Sequence, residues 1–215
     1  MFQYKNFLIS IFFRLILVNC ILFILANFSY ANILIEPSLG YALKGVVKQK
    51  LEAGGTTYEN ESTGLGYGLR LGYIRFGFML GIQGDMISED WTGKGPKVTD
   101  VNDKKQKMDG RNAGIFVGYQ TPFFVKLWTT FYCYDEYVKK DDNGPYSKDD
   151  AYLGTGYTVG LGVAFLYYMA MNIEYRKFSF DKLRVKADEK TYKLDNERDV
   201  NKSEIYLSLS FPFNF

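Results

Sequence analysis

The sequence predicts an all-β protein built as an eight-stranded antiparallel up-and-down barrel. Eight segments alternate apolar residues with small or polar ones, which is the period-two pattern of strands with two different faces. The connections between these segments are alternately long and charged, or only a few residues. The composition agrees with strands, because 18% of the residues are aromatic and 21 are glycine, and after the N-terminal region apolar residues are interleaved with polar ones.

The N-terminal region differs from the remainder of the chain. Residues 7 to 28 form an apolar run after Lys5, and "SYA" at 29 to 31 is a small-x-small cleavage pattern. We expect a secretory signal peptide at 1–31 and a barrel domain at 32–215; an uncleaved anchor is the alternative. Cleavage after Ala31 removes Cys20 and leaves only Cys133, so no intramolecular disulfide is expected.

The mature chain is predicted to be neutral. Cleavage removes Lys5 and Arg14 and no acidic residue, so that 26 basic residues become 24, against 24 acidic ones. Binding to nucleic acid depends on neutralising phosphates with an excess of Lys and Arg. We therefore expect no nucleic-acid partner.

The first four strands are predicted from the mature N-terminus onward. The first is "NILIEPSLGYALKGVV", in which Pro37 is acceptable near the start of a strand. In the second, "TGLGYGLRLGYI", apolar residues occupy every other position from Leu65 to Tyr73, and glycines and Arg70 lie between them. A very short connection near Arg75 predicts a tight hairpin with the third, "FGFMLGIQGDMI". The four predicted segments are 32–47, 63–74, 76–87 and 110–120.

The last four strands follow the same rule. The fifth, "FFVKLWTTFYCY", is less regular; the sixth, "YLGTGYTVGLGVAF", alternates with glycine; the seventh, "MAMNIEYRKF", carries Glu174 and Arg176 on its polar face. The eighth, "IYLSLSFPFNF", keeps the alternation to Phe215, although chain termini normally fray unless they are held. These segments are 123–134, 152–165, 169–178 and 205–215, and the predicted long loops are 48–62, 88–107, 135–150 and 179–202.

The alternating loop lengths and the two faces favour a barrel that crosses a membrane. Up-and-down topology would gather the long loops at one end and the short turns at the other, as in transmembrane barrels. One face is continuous in Leu, Val, Ile and Phe, whereas glycine dominates the other, which suits a narrow lumen. We therefore predict an all-β, eight-stranded antiparallel up-and-down transmembrane β-barrel without a wide pore. A soluble lipocalin-like barrel, with its apolar face around a ligand cavity, is the alternative.

The few charges on the polar face are of mixed sign. A buried charge without a partner is costly, so we expect these residues to pair inside the barrel. The predicted lumen charge network consists of Arg70, Asp85, Lys126, Glu174, Arg176 and Glu204.

This architecture resembles the small eight-stranded outer-membrane barrels of the outer membrane protein A and outer membrane protein X type. The resemblance covers nearly all of 32–215 and rests on architecture without a diagnostic motif. It implies a Gram-negative outer-membrane location and not a particular activity, with outer-membrane lipid and lipopolysaccharide as partners. The signal peptide predicts export through the Sec pathway, and the long loops leave open an extracellular ligand. The resemblance also implies that the last strand resembles the signal read by the barrel assembly machinery, although Pro212 departs from an ideal strand. The residues of that signal are Leu207, Leu209, Phe211, Phe213 and Phe215.

The sequence limits the available chemistry. It contains no histidine, so Ser-His catalysis and His-based metal sites are excluded, and a lone Cys133 cannot build a thiolate metal site. "DDNGPYSKDD" fails as an EF-hand because Lys139 stands where the first Asp ligand is needed. Trp91 is expected to anchor a loop, and Cys133 to be a small hydrophobe on the apolar side.

We therefore predict no cofactor, metal or catalytic site, and a non-enzymatic barrel that is structural or presents its loops for adhesion or binding. Carboxylate-only chemistry stays open, which keeps an outer-membrane lipid-modifying enzyme as an alternative. Its candidate acids, otherwise expected to be solvated loop charges, are the pairs Asp135/Glu136, Asp141/Asp142 and Asp149/Asp150.

Overall fold

The computed structural model describes residues 32–50, 57–94, 105–121, 124–142, 147–166, 168–194 and 200–215. The chain divides into two units, Met1–Asn32 and Ile33–Phe215. The predicted signal peptide at 1–31 lies outside the described residues. In the described ranges no helix is long and apolar enough to cross a membrane. The strands are β1 Asn32–Lys50, β2 Thr57–Arg75, β3 Phe78–Lys94, β4 Gln106–Gln120, β5 Val125–Lys139, β6 Ala151–Leu166, β7 Met169–Val185, β8 Lys190–Lys193, β9 Val200–Ser210 and β10 Phe213–Asn214.

Eight of these strands form a closed antiparallel ring. Each strand from β1 to β7 pairs with the next, and β9 pairs with both β7 and β1. Ser210 of β9 shows the closure, because it lies opposite Ala170 on one side and Ser38 on the other. The short strands β8 and β10 add to β7 and β1. The predicted all-β, eight-stranded antiparallel up-and-down barrel is confirmed.

Both chain termini of the ring and the short turns lie at one end, here called the turn end. The β2–β3 connection is the pair Phe76 and Gly77, with φ of 49° and 83°, as a type I′ hairpin turn requires. The last residue is held as firmly as the strands. Ile33 N donates to Phe215 O at 2.9 Å, and Phe215 N donates to Ile33 O at 3.0 Å. The long connections lie at the opposite end, here called the loop end.

The strands extend further toward the loop end than the sequence predicted. The predicted loops 48–62, 88–107, 135–150 and 179–202 are therefore wrong in their bounds, because β2, β3, β5, β7 and β9 each occupy part of them. Outward positions there are polar, as Glu59 and Asp90 are, while inward positions such as Ser62 and Trp91 stay buried. A strand whose outer face meets water can carry charged residues on that face. The many charged residues made these strand segments look like loops in the sequence.

The last predicted strand, 205–215, is broken near its end. β9 stops at Ser210 and β10 begins at Phe213, because Pro212 has no N–H to donate to a ladder. Phe211 N still donates to Pro37 O at 2.9 Å. Both pieces pair with β1, so the C-terminus remains part of the wall.

An irregularity in β5 changes which side chains point inward. The register shifts between Tyr132 and Asp135, so that Cys133 and Tyr134 both lie outside while Asp135 and Tyr137 point inside. Such a bulge re-aims side chains by one position. Cys133 is exposed on the outer face, where its Sγ lies 3.6 Å from Ala113 O.

Candidate functional site in the interior and at the loop end

Glycines line the interior because bulky rings occupy the space across from them. A Cβ added at Gly160 would come within 2.3 Å of the Trp128 ring, and one at Gly156 within 2.3 Å of the Phe178 ring. Real Cβ atoms do not approach other atoms so closely, so each glycine makes room for an aromatic side chain. The glycine-rich face is therefore the complement of a filled lumen.

An apolar layer closes the interior near the turn end. This turn-end plug consists of Leu34, Met79, Phe116 and Trp128, which are at most 4% exposed. Arg70 stacks on the inner side of this layer, with Cζ 4.0 Å from the centre of the Trp128 ring. The plug thus lies between the turn end and Arg70.

The lower charge layer lies directly above this plug. Arg70 Nη2 lies 2.9 Å from Glu174 Oε1, and Arg70 Nη1 lies 3.5 Å from Glu36 Oε2. Arg176 Nη2 lies 2.7 Å from Glu174 Oε2 and 3.7 Å from Asp85 Oδ1. The side chain of Lys126 pairs with Glu36. Three acidic and three basic groups meet here, so the layer is balanced.

Neutral side chains fix the acids of this layer. Tyr132 OH donates to Asp85 Oδ2 at 2.6 Å, and Gln83 Nε2 donates to the same oxygen at 2.9 Å. Thr130 Oγ1 in turn donates to Gln83 Oε1 at 2.7 Å. Ion pairs with such additional hydrogen bonds recover part of the cost of burying their charges.

The upper charge layer lies nearer the loop end and has a different balance. Lys202 Nζ lies 2.5 Å from Glu89 Oε1 and 2.8 Å from Glu204 Oε2, and it donates to Tyr137 OH at 2.7 Å. Asp135 is fully buried beside this group; the amide of Asn112, with its nitrogen toward the carboxylate, donates to Asp135 Oδ1 at 2.6 Å. The upper layer therefore contains three carboxyl groups and one ammonium group, and two of the carboxyls contact that ammonium group.

Aromatic side chains cover the upper layer. This loop-end plug is centred on Trp91, whose ring centre lies 6.2 Å from Tyr152 and 5.8 Å from Tyr137. Trp91 Nε1 also donates to Glu89 Oε2 at 2.8 Å. The interpretation of Trp91 as a loop anchor is wrong, because it is a buried residue of β3. The other aromatic members are Phe178 and Phe180.

The structure places all six predicted lumen residues inside the barrel. Five of them form the lower layer with Glu36, whereas Glu204 belongs to the upper layer. Glu36, Glu89 and Lys202 were missed as network members. Lys202 lies two residues before Glu204 on β9, so both side chains point inward. Extending the predicted strand to residues before 205 would have identified it.

Five of the six acids in these pairs, all except Asp149, make a side-chain hydrogen bond or an ion pair. Asp135 and Glu136 are both buried, on different partners: Glu136 accepts a hydrogen bond from Tyr134 OH at 2.7 Å and pairs with Arg184. Asp150 Oδ1 and Oδ2 accept hydrogen bonds from Lys186 N and Ser147 N, both at 2.9 Å.

Asp141 and Asp142 also hold the backbone of the loop end. Asp141 Oδ2 accepts from Lys107 N at 2.8 Å, and Asp142 Oδ1 accepts from Lys148 N at 3.3 Å. Among the described residues, no group of three or more acidic or cysteine side chains could hold a metal ion. These carboxylates therefore act as caps for loop backbone.

Surface depressions lie at both ends of the described part of the barrel. A groove of about 410 Å³ at the loop end is lined by residues that include Arg111, Glu136 and Arg184. A vestibule of about 370 Å³ at the turn end is lined by residues that include Lys126 and Phe215.

At the β7–β8 hairpin, a hydrogen bond from Tyr192 lowers the pKa of the Asp188 carboxyl.

The outer face carries an exposed apolar belt between two rings of aromatic residues. The belt is continuous because every second residue along the strands is apolar and exposed, as from Tyr157 to Phe165 on β6. Beyond the loop-end ring the outward residues become polar, for example Ser88 and Lys177. The apolar face thus points outward, as predicted, and not around a central cavity. The turn-end ring includes Tyr73, Phe78, Tyr119, Phe165 and Tyr168, and the loop-end ring includes Tyr41, Tyr67, Tyr134, Tyr157 and Tyr175.

The chain matches no protein-family model and no curated protein. It is similar to solved structures of barrel proteins. Neisserial surface protein A is 13% identical, over 84% of this chain and 97% of that one, with a TM-score of 0.47. Ail, the attachment invasion locus protein of Yersinia pestis, is 17% identical over 84% and 98%, with a TM-score of 0.49. The outer membrane protease OmpT from Escherichia coli is 11% identical over 86% and 97%, with a TM-score of 0.40. At these identities the likeness concerns the fold and not the activity.

Proposed function

We propose that this chain is an integral outer-membrane barrel that has no open pore and acts through the surface of its loop end. The apolar belt is the observation that carries this proposal. Its residues are strongly exposed, with Leu65 58% and Ile82 59% accessible. A contiguous belt of this kind favours aggregation in water, whereas lipid covers it at no such cost. The closed ring pairs its backbone groups, as a wall in hydrocarbon must.

The belt also fits a bilayer in height and in its aromatic borders. The nine residues from Tyr157 to Phe165 match the roughly 9–11 residues that a tilted strand needs to cross. Aromatic girdles at both interfaces are typical of outer-membrane barrels. Short turns face the periplasm in such barrels, so the loop end lies outside the cell.

Export and assembly complete the proposal. Residues 1–31 act as the Sec signal, and the barrel assembly machinery reads the C-terminal strand that ends in Phe215. Outer-membrane lipid surrounds the belt. Lys107, Arg111 and Lys177 lie on the outer face just past the loop-end ring, where the phosphates of lipopolysaccharide would meet them.

The filled interior supports a barrel without ion conduction. Apart from Lys126, which also lines the turn-end vestibule, the two charge layers lie between the turn-end plug and the loop-end plug, and their side chains are at most 6% exposed. An eight-stranded barrel has an interior that side chains can fill. We expect the purified protein to add no steady conductance to a planar lipid bilayer.

The loop end supports a non-enzymatic role in presenting a binding surface to an extracellular ligand. Asp141, Asp142 and Asp150 accept hydrogen bonds from loop backbone. Carboxylates that are bound to loop backbone shape the surface and are poorly placed to act as general acids or bases. The same residues therefore favour a binding surface over the active site of a lipid-modifying enzyme.

Fractionation tests the proposal. A detergent extract of the outer-membrane fraction should contain the protein in a form whose gel migration changes on boiling, since folded barrels resist the detergent of the gel. Recovery of the folded protein from the soluble periplasm would overturn the membrane assignment. A steady open channel in planar bilayers would overturn the closed lumen alone.

A further inference from the structure

The buried charges of the interior do not balance. The two charge layers together hold six acidic groups and four basic ones; the other buried charged residues, Glu136, Lys139 and Asp150, lie further toward the loop end or in the loops there. Because the lower charge layer is balanced, the excess belongs to the upper layer, where Glu89 and Glu204 contact Lys202 and Asp135 is buried on the neighbouring part of β5. Each of these four side chains is at most 2% exposed. Two uncompensated buried charges would be very costly.

We propose that Glu89 and Glu204 share one bound proton, and that the barrel loses stability when that proton is lost. Both carboxyl groups contact the same atom, Lys202 Nζ, at 2.5 and 2.8 Å, so they lie side by side. Two charged carboxylates held this close in a buried site repel each other, and this repulsion favours the binding of a proton by one of them.

The remaining oxygens of this pair are in different surroundings. Trp91 Nε1 donates to Glu89 Oε2 at 2.8 Å, which favours a charged Glu89. Glu204 Oε1 is buried and accepts no hydrogen bond from the residues described. The two carboxyl groups are therefore not equivalent, and the proton is assigned to the pair and not to either residue alone.

The groups that face this pair from other strands compensate its charge only in part. From β5 come Asp135, which adds a third carboxyl, and Tyr137, whose hydroxyl accepts from Lys202. From β7 comes Arg176, the cross-strand neighbour of Glu204, which attracts that carboxylate although its guanidinium contacts Glu174 and Asp85 of the lower layer. From β4 comes the neutral Asn112.

The sign of the pH dependence follows from where the proton is bound. In the unfolded chain a glutamate loses its proton near its ordinary pKa of about 4.3. In the folded chain the shared proton persists above that pH, so the folded state binds more protons than the unfolded state. Stability then falls as the pH rises from about 4.3 until the proton leaves the folded state. A carboxylate held by an ion pair alone would have the opposite effect.

Thermal unfolding of the protein in detergent micelles tests this proposal between pH 5.5 and 8.5. We expect the Tm of the wild type to fall by about 5 °C across this range, as a contribution of a few kcal/mol would produce. Glu204→Gln keeps a neutral group of the same shape, so its Tm should be nearly independent of pH and above that of the wild type at pH 8.5. Glu59→Gln, at an exposed position of β2, is the control and should keep the wild-type slope.

An infrared measurement gives a second readout. At pH 7 the protein with Asp135→Asn, which removes the neighbouring buried carboxyl, should still show the carbonyl band of a protonated carboxyl group, and adding Glu204→Gln or Glu89→Gln should remove it; Glu89→Gln replaces Glu204→Gln if the latter does not fold. A wild-type Tm that is flat or rises from pH 5.5 to 8.5, or a missing band, would overturn the proposal. A Tm that depends on sodium concentration and not on pH would also overturn it, in favour of a bound metal cation.

Discussion

Arg70 and Glu174 are 104 residues apart in the chain, and their side chains meet at 2.9 Å inside the barrel. The pair links β2 to β7, which are not neighbours in the ring. Only side chains that point inward from a closed wall can make such a contact. The pair thus reports both the closure of the barrel and the inward direction of its polar face.

Breaking this pair should be strongly destabilising. Arg70→Met leaves Glu174 and Glu36 short of a buried partner, so we expect a loss of about 3–5 kcal/mol in the free energy of unfolding. The double variant with Glu174→Gln should lose less than the sum of the two single variants. Urea titration in lipid vesicles measures these values. Lys48→Met, which breaks an exposed pair with Glu59, is the control and should cost less than about 1 kcal/mol; an equal cost at both sites would contradict the account.

Two glycines on opposite faces should respond differently to the same substitution. Gly160→Ala places a Cβ against Trp128, so we expect a loss of about 1–3 kcal/mol from overpacking. Gly84→Ala meets its nearest atom, Asn112 O, at 3.8 Å and should be tolerated. Both variants are compared by urea titration. Equal effects would mean that the interior is not filled as the structure has it.

Trp91 should contribute to stability as a core residue. Trp91→Ala removes a 1%-exposed ring and leaves Glu89 without its indole donor, and we expect a loss of about 3–5 kcal/mol. Trp91→Phe should retain the stacking on Tyr152 and cost less. Thermal unfolding of the three proteins measures the order. If Trp91→Ala unfolded with the wild type, Trp91 would be a loop residue after all.

The C-terminal aromatic residues should be needed for assembly. Deletion of Phe215, or its replacement by Ser together with Phe211 and Phe213, should block insertion into the outer membrane. Phe76→Ser alters an exposed aromatic of the same end, 77% accessible, and should insert normally. The heat-modifiable fraction of the membrane protein is measured in each case. Normal insertion of the triple variant would show that the assembly machinery does not read these residues.

The sequence was sufficient for the ring and for the direction of its faces. The alternation from Leu65 to Tyr73 requires a strand with one apolar face, and a continuous apolar face with a glycine-rich opposite face has few other solutions. The loop-end half was predicted poorly. There the outer face meets water, so Glu59 and Asp90 make a wall resemble a loop, and Trp91 was placed in that loop.

The partners of the lumen charges were only partly predictable. The alternation of apolar and polar residues predicted that Arg70 and Glu174 point inward. Which strands face each other across a barrel depends on its closure and on the stagger of its strands. The bulge after Tyr132 also exchanges the inward-facing and outward-facing positions along the rest of β5, and nothing in the amino-acid composition predicts it. For that reason Asp135 was expected to be a solvated loop charge.

The reactivity of single cysteines in intact cells tests the membrane assignment most directly. In a background with Cys133→Ser, the account predicts that Val159→Cys and Leu161→Cys, in the middle of the belt, are protected from a membrane-impermeant maleimide. Asp90→Cys, on the outer face beyond the loop-end ring, should react quickly, and all three should react after the cells are dissolved and the protein is unfolded. If Val159→Cys reacted in cells as fast as Asp90→Cys, the belt would be in water and the barrel would not span the membrane.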